Sequence, residues 1–269
     1  MSVRDVQMVS LDILKDVHNF CVNNNIRYSL GCGTLLGAIR HNGFIPWDDD
    51  VDIQMPRPDY NRFIHTYKSS KGYRLLSREM DGNKVYRRLA RVCDVERTYV
   101  NNDLVPSQEE KIGVAIDIQP IDGAPSDRKE AKNYLRGVKI RLKITNYYRG
   151  RYIPWDAIRR LKGFQKAKYA LKKILGYMIL DSCFERLSVY QQKFDFENSD
   201  YFYASITYGM GEWQPKENIK NFILHKFEDS DFYIMSGYDA NLHSLYGDYM
   251  KLPPENQRKT HTLYKHYWK

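Results

Sequence analysis

No apolar run in this 269-residue chain approaches the roughly 18 residues that a membrane-spanning helix needs. The opening residues, Met1-Ser2-Val3-Arg4-Asp5, lack the basic-then-apolar pattern of a secretory leader, so the cytosol is the expected compartment. Cysteine is scarce. Cys21, Cys32, Cys93 and Cys183 lie far apart and form no CxxC pair, which argues against a zinc site and a disulfide framework and for buried, reduced thiols. Acid is almost missing from one long stretch. From Arg136 to Lys173 thirteen basic residues face Asp156 alone, a net +12 inside a chain whose total is +9, so the remainder is mildly acidic. Solenoid-type repeats are also missing: Ile45-Pro46-Trp47-Asp48 returns as Ile153-Pro154-Trp155-Asp156, but the second copy runs on without further acids.

What is present is a globular composition, 42% hydrophobic, 14% aromatic and 28% charged, too apolar for disorder and long enough for one large domain or two small ones. Val6, Val9, Ile13, Val17 and Phe20 mark an amphipathic helix that Asn23-Asn24-Asn25 stops. Ile26–Leu30 reads as a short strand leading to Gly31-Cys32-Gly33, and Thr34–Arg40 as a turn or two of helix. Asp50–Met55 alternates as a strand does, Pro56 and Pro58 end it, and a helix is expected from Asp59. Further strands are expected at 73–77, at 85–92 and, most clearly, at Gly113–Gln119, where Pro120 is expected to end the strand. A helix is expected from about Arg128, the basic stretch continues helical with breaks near Gly150 and Pro154, and another helix is expected over 185–196. The last expected helix ends near Tyr249, before Leu252-Pro253-Pro254.

The stretch "GFIPWDDDVDI" (43–53) sets four carboxylates within five positions. A run of aspartates alone is most often a solvated loop. Here, though, Asp50 and Asp52 share one face of a strand, with Asp48 at the same parity, while Val51 and Ile53 turn to the core. Hard divalent cations such as Mg²⁺ or Mn²⁺ use one or two such carboxylates together with substrate phosphates. Asp117, a lone acid in an apolar strand, is the natural third carboxylate, whereas Asp122 is expected to cap a turn. The helix start at Gly33-Thr34 offers backbone N–H groups to a phosphate, and Arg40 a second contact.

With those residues assembled, "GTLLGAIRHNGFIPWDDDVDI" (33–53) closely resembles the signature of the LicD family, the choline-phosphotransferases of bacterial surface polysaccharides. "IDIQPIDGAP" (116–125) resembles that family's second block, and "YGDYMKLPP" (246–254), followed by Arg258 and His261, its C-terminal block. The resemblance implies an α/β (α+β) chain with a nucleotidyltransferase-type core: a small mixed sheet flanked by helices over 1–125, a basic helical region over 126–200, and a C-terminal helical and loop region over 201–269 that completes the cleft. It implies catalytic and metal-binding roles for Asp50, Asp52 and Asp117, a phosphate cradle of Gly33, Thr34 and Arg40 with Asp48 beside it, and Mg²⁺ or Mn²⁺ as cofactor. The implied reaction moves phosphocholine from CDP-choline to a hydroxyl of a lipid-linked teichoic-acid or other surface-glycan precursor and releases CMP. Relatives with the same motifs transfer other alcohol phosphates, such as ribitol phosphate. A non-catalytic glycan- or membrane-binding relative is the contrasting reading, which the intact acids oppose.

Aromatic faces for the trimethylammonium group are abundant, Tyr147, Tyr148, Tyr152, Trp155, Tyr246 and Tyr249 among them, so composition does not choose between them. Arg258, His261 and Lys251 are candidates to close over the substrate. Nucleic acid is not expected as a partner, because no recognised module accompanies the basic stretch. Apolar residues between the charges of 136–175 suit instead a peripheral contact with an anionic membrane surface.

Overall fold

The computed structural model describes residues 1–82, 85, 88–101, 112–204, 209–260 and 265–269. Its centre is a seven-stranded mixed sheet in the order β1 (Ser29–Leu30), β2 (Asp52–Pro56), β6 (Val114–Ala124), β4 (Ala90–Asp94) and β3 (Arg74–Leu76), with β7 (Tyr201–Ala204) and β8 (Gln214–Pro215) continuing from β6. Two ribbons stand beside it: β5 (Thr98–Asn101) with β11 (Lys265–Trp268), and β9 (Phe222–Phe227) with β10 (Ser230–Met235). Eight α-helices are present among the described residues, so the expected mixed α and β architecture holds.

Helix α1 (Val3–Asn23) starts at a Ser2–Asp5 capping box, and α3 (Arg57–Thr66) takes Pro58 in its first turn, where a missing N–H costs nothing. Both pack on the apolar side of the sheet, made by Val51, Ile53, Val92, Ile116 and Ile118, all fully buried. The β9–β10 ribbon brings Phe227, Phe232 and Ile234 into the same core, as α8 (Tyr238–Tyr246) does Leu242. Helix α2 (Cys32–His41) and the short α4 (Arg78–Asp81) link strands. Helix α5 (Arg128–Tyr148), capped by Asp127, leads through a 3₁₀ turn at Arg149–Tyr152 into α6 (Trp155–Arg160) and α7 (Gly163–Gln191). Among the described residues no helix is long and apolar enough to cross a membrane.

The structure corrects several boundaries. β2 begins at Asp52, so Asp50 stands in the approach to the strand, and β1 is only two residues long. The helix expected over 185–196 starts at Gly163, because Gly176 lets α7 run against the Tyr148 carbonyl without a break. The last helix ends at Tyr246. Pro120 does not end its strand. β6 pairs β4 as far as Ile118 and β7 from Ile121, so the proline falls in the gap between two antiparallel partners, where a ladder donor is not required.

Asp122 consequently caps no turn. It lies buried inside β6 and accepts two hydrogen bonds from Arg57, from Nε at 2.6 Å and Nη2 at 2.7 Å. A buried carboxylate stripped of its partner costs far more than the pair contributes. Arg57→Met is therefore expected to lower unfolding free energy by about 3–5 kcal/mol in urea titrations, and adding Asp122→Leu should restore most of it; an equal loss in single and double variants would show that the pair is incidental.

Candidate active site

Three strands deliver the site. β2 and β6 are parallel with Asp52 opposite Asp117, and β4 runs antiparallel with Arg91 opposite Asp117, so the three side chains form one row across the sheet. One row further on, Gln54 stands opposite Gln119, and the buried Cys32 thiol closes over both at 3.9 and 3.7 Å. The face opposite the apolar core is thus polar, with α2 at one end and the C-terminal end of α5 at the other. Cys32 holds a left-handed φ of 47° where α2 begins, and burial pushes its thiol pKa well up, so it packs as an inert group.

The acidic stretch reaches this row through a heavily anchored loop. Gln7 on α1 donates to the carbonyls of Ile45 (3.3 Å) and Asp48 (2.8 Å). Glu228 accepts from the Phe44 N–H at 3.0 Å and is held by Arg4. The Thr34 hydroxyl accepts from the Asp52 N–H at 2.9 Å, and the Asp117 N–H donates to the Val51 carbonyl at 2.8 Å. At Gly33 a Cβ would stand 2.6 Å from Asp48 Oδ2, so only glycine lets α2 approach this carboxylate.

The electrostatics follow from that packing. Burial raises the Asp48 pKa to about 8, helped by the charge of Asp50 and a side-chain hydrogen bond to it. Burial likewise raises that of Asp52 well above the usual carboxylate range, with the charges of Asp50 and Asp117 adding to the effect. Asp48, Asp50, Asp52 and Asp117 therefore act on one another as a single acidic group. Asp49 points elsewhere, lining a separate cavity of about 280 Å³ with Met1, Lys265 and His266.

The other expected residues divide. Gly33 and Thr34 lie against the acids, with the Thr34 hydroxyl committed to the backbone of Asp52. Arg40, expected in the phosphate cradle, donates through Nη1 to the Tyr249 carbonyl at 2.8 Å. Arg258 lies over the Trp47 ring at 5.5 Å, which brings the C-terminal block to the acidic loop; Lys251 is exposed, and His261 lies outside the described residues.

Three arginines emerge that sequence reasoning did not single out. Arg91 grips Asp117 through both Nε and Nη2. Arg88, Arg91 and Arg149 line a cavity of about 220 Å³ that opens on Asp117 and is closed by Leu89, Leu142 and Asn146. Burial lowers the Arg88 pKa, as expected for a cation held away from water. A cationic pocket against an acidic row suits a ligand that brings both phosphate and metal.

Among the described residues no three His, Cys, Asp or Glu side chains form a ready-made metal cage. The donor set fits Mg²⁺ or Mn²⁺ all the same, since these ions are commonly held by one or two carboxylates with the remaining positions filled by water and substrate phosphate. Asp52 and Asp50 are the groups that could hold such an ion, with Asp117 beside them.

The acidic row lies within a nucleotidyltransferase-type domain. Residues 25–132 match the family described as LicD/FKTN/FKRP, nucleotidyltransferase domain. Over 274 aligned residues, 99% of this chain and 98% of the relative, the chain is 32% identical to the lipopolysaccharide cholinephosphotransferase LicD of Haemophilus influenzae. Shorter similarities join it to uncharacterized proteins of Rickettsia typhi, 40% over 74 residues (28% of this chain, 23% of the relative), and Rickettsia prowazekii, 36% over 81 residues (30% and 29%). The chain belongs to the LicD family.

Asp48 supplies a pH test. Its folded pKa of about 8 stands above the unfolded value of 3.8, so the folded state keeps this proton between those limits. The stability it contributes is full below about pH 4 and lost as pH rises to about 8. In chelator, the melting temperature of wild type is expected to fall over this window more steeply than that of Asp48→Asn, and Mg²⁺ is expected to recover part of the loss at pH 8; parallel curves would remove Asp48 from the acidic group.

Proposed function

We propose that this chain transfers phosphocholine from CDP-choline to a hydroxyl of a surface-glycan precursor, of lipopolysaccharide or teichoic-acid type, on the cytoplasmic side of the membrane, releasing CMP. The observation that carries the reading is the register that sets Asp52 against Asp117 beside three arginines, in a chain alike over its whole length to a cholinephosphotransferase.

Phosphoryl transfer asks a protein mainly for positioning and for charge to meet the charge of the transferring group. Asp52 and Asp50, with Asp117, would hold Mg²⁺ or Mn²⁺, which supplies charge neutralisation for the diphosphate when bound. Arg88, Arg91 and Arg149 offer planar, multidentate donors to the phosphate oxygens. Asp117, steered by the Arg91 fork, accepts the proton of the incoming hydroxyl. The new O–P bond forms as the bond to CMP breaks, and its electron pair leaves with the CMP phosphate. Asp48, hydrogen-bonded to Asp50, is a positioning residue for that carboxylate.

Incubation with CDP-choline, Mg²⁺ and glycan acceptors, followed by CMP release, tests the reading. Asp52→Asn is expected to lower kcat by on the order of 10²–10³, and chelator to abolish turnover until Mg²⁺ is restored. Arg149→Ala is expected to raise the donor KM more than it lowers kcat. Undiminished turnover in Asp52→Asn would reject the metal assignment, while faster CMP release from CDP-ribitol than from CDP-choline would keep the chemistry and change the alcohol.

A further inference from the structure

The basic stretch has an organisation that the chemistry above does not use. On α7, Phe164, Ala167, Leu171, Ile174 and Met178 follow one another at steps of three and four, a stripe about 21 Å long at 1.5 Å per residue. It is not core: Phe164 is 81% exposed, Met178 72% and Leu171 57%. The buried side of α7, marked by Gly176, Leu180, Phe184 and Leu187, lies on the opposite side of the helix. Helix α5 repeats the pattern, with Ile140, Ile144 and Tyr147 exposed at steps of four and three opposite the buried Val138, Leu142 and Thr145. The Lys172 ammonium, 4.5 Å from the centre of the Tyr147 ring, ties the two outward faces together. Exposed lysines flank them, Lys139 and Lys143 on α5 and Lys162 and Lys168 around the start of α7.

We propose that this two-helix face docks on an anionic lipid bilayer, lying in the headgroup region with its apolar stripe sunk toward the acyl chains. Charge complementarity selects the occupant. The stretch from Arg136 to Lys173 carries thirteen cations, of which Lys173 is buried, Arg151 pairs with Asp181 and Arg149 lines the cavity on Asp117. Ten remain for the surface, and the one acid, Asp156, is paired with Arg159. A second copy of the chain would meet this surface with the same positive charge. A nucleic acid would answer the lysines but leave a largely aliphatic stripe with nothing to bury it, whereas a bilayer satisfies both. Helix α5 also shows how docking and chemistry would share one element. Leu142 and Asn146 turn to the cavity that opens on Asp117, Ile140 and Ile144 turn outward, and only a helix thickness of about 10 Å separates them. The cavity is thereby held close to headgroup level, where a lipid-linked acceptor presents its first sugars. This proposal concerns association alone and stands whether or not the donor is CDP-choline.

Co-sedimentation of the whole chain with vesicles of phosphatidylcholine alone, or of phosphatidylcholine with phosphatidylglycerol, reads it directly. Recovery is expected with the anionic vesicles only and to fall as salt rises. Lys143→Ala with Lys168→Ala is expected to lower the partition coefficient about twenty-five-fold, at about fivefold per lysine. Phe164→Glu with Leu171→Glu, at exposed positions, should abolish recovery while leaving the melting temperature unchanged. Equal recovery on neutral and anionic vesicles, or none on either, overturns the proposal. So does a dimer in light scattering that Leu171→Glu dissolves in a chain that ignores vesicles, or a tight complex with duplex DNA or RNA that survives loss of the stripe.

Discussion

Asp52 and Asp117 repel one another, and they are held side by side because the backbones carrying them are hydrogen-bonded in parallel. That pairing is the constraint on which the rest of the molecule turns. Left in water, like charges at this spacing would spread apart; fixed on adjacent strands over a closed apolar face, they have nowhere to go. The surrounding structure reads as a set of restraints on that repulsion. Gln7 ties the approaching loop to α1, Thr34 ties the start of β2 to α2, and Arg91 supplies the nearest opposite charge. Burial first, and then the charges of neighbouring acids, raise the pKa values of Asp48 and Asp52, which is the cost of the arrangement. On the proposed reading, a cation and the donor's diphosphate would offset that cost, as preorganised charge does in phosphoryl transfer.

Much of this was legible in the residues. The alternation of Asp50–Met55 marked the strand and its two faces, although it begins only at Asp52, and a lone acid in Gly113–Gln119 marked Asp117, because period-two patterning is a local property. The arginines were not legible. Nothing near Arg91 in the sequence states that β4 runs antiparallel to β6 with position 91 against 117, and Arg149 reaches the cavity only because α5 folds back over the sheet. Pro120 misled for a related reason. Proline ends a strand whose ladder needs the missing donor, and whether it does depends on where two other strands stop and start. Arg40 fits a phosphate cradle by spacing along the chain, yet tertiary packing gives it the Tyr249 carbonyl. Local periodicity was readable; register and long-range partners were set by packing between segments far apart in the chain.

Helix α5 joins two halves of the molecule that the sequence presents as separate. Its inner face is held by Tyr134, Leu135 and Val138 against the sheet, its far end lines the cavity, and its outer face belongs to the basic surface. Positive charge thus appears twice: inside, where guanidinium groups line the cavity beside Asp117, and outside, where lysines remain in water.

Strand β6 touches β2, β4 and β7 and carries Asp117 and the buried Asp122 five residues apart on the same backbone. Because side chains alternate faces along a strand, adding or deleting one residue between the two would turn one acid into the apolar core or strip Arg57 of its partner. Three neighbouring strands hold the register, so none can slip to absorb the error alone. A loop beside this strand can change length without moving either acid. The interval from Asp117 to Asp122 cannot, and its spacing is expected to be kept even where the residues within it drift.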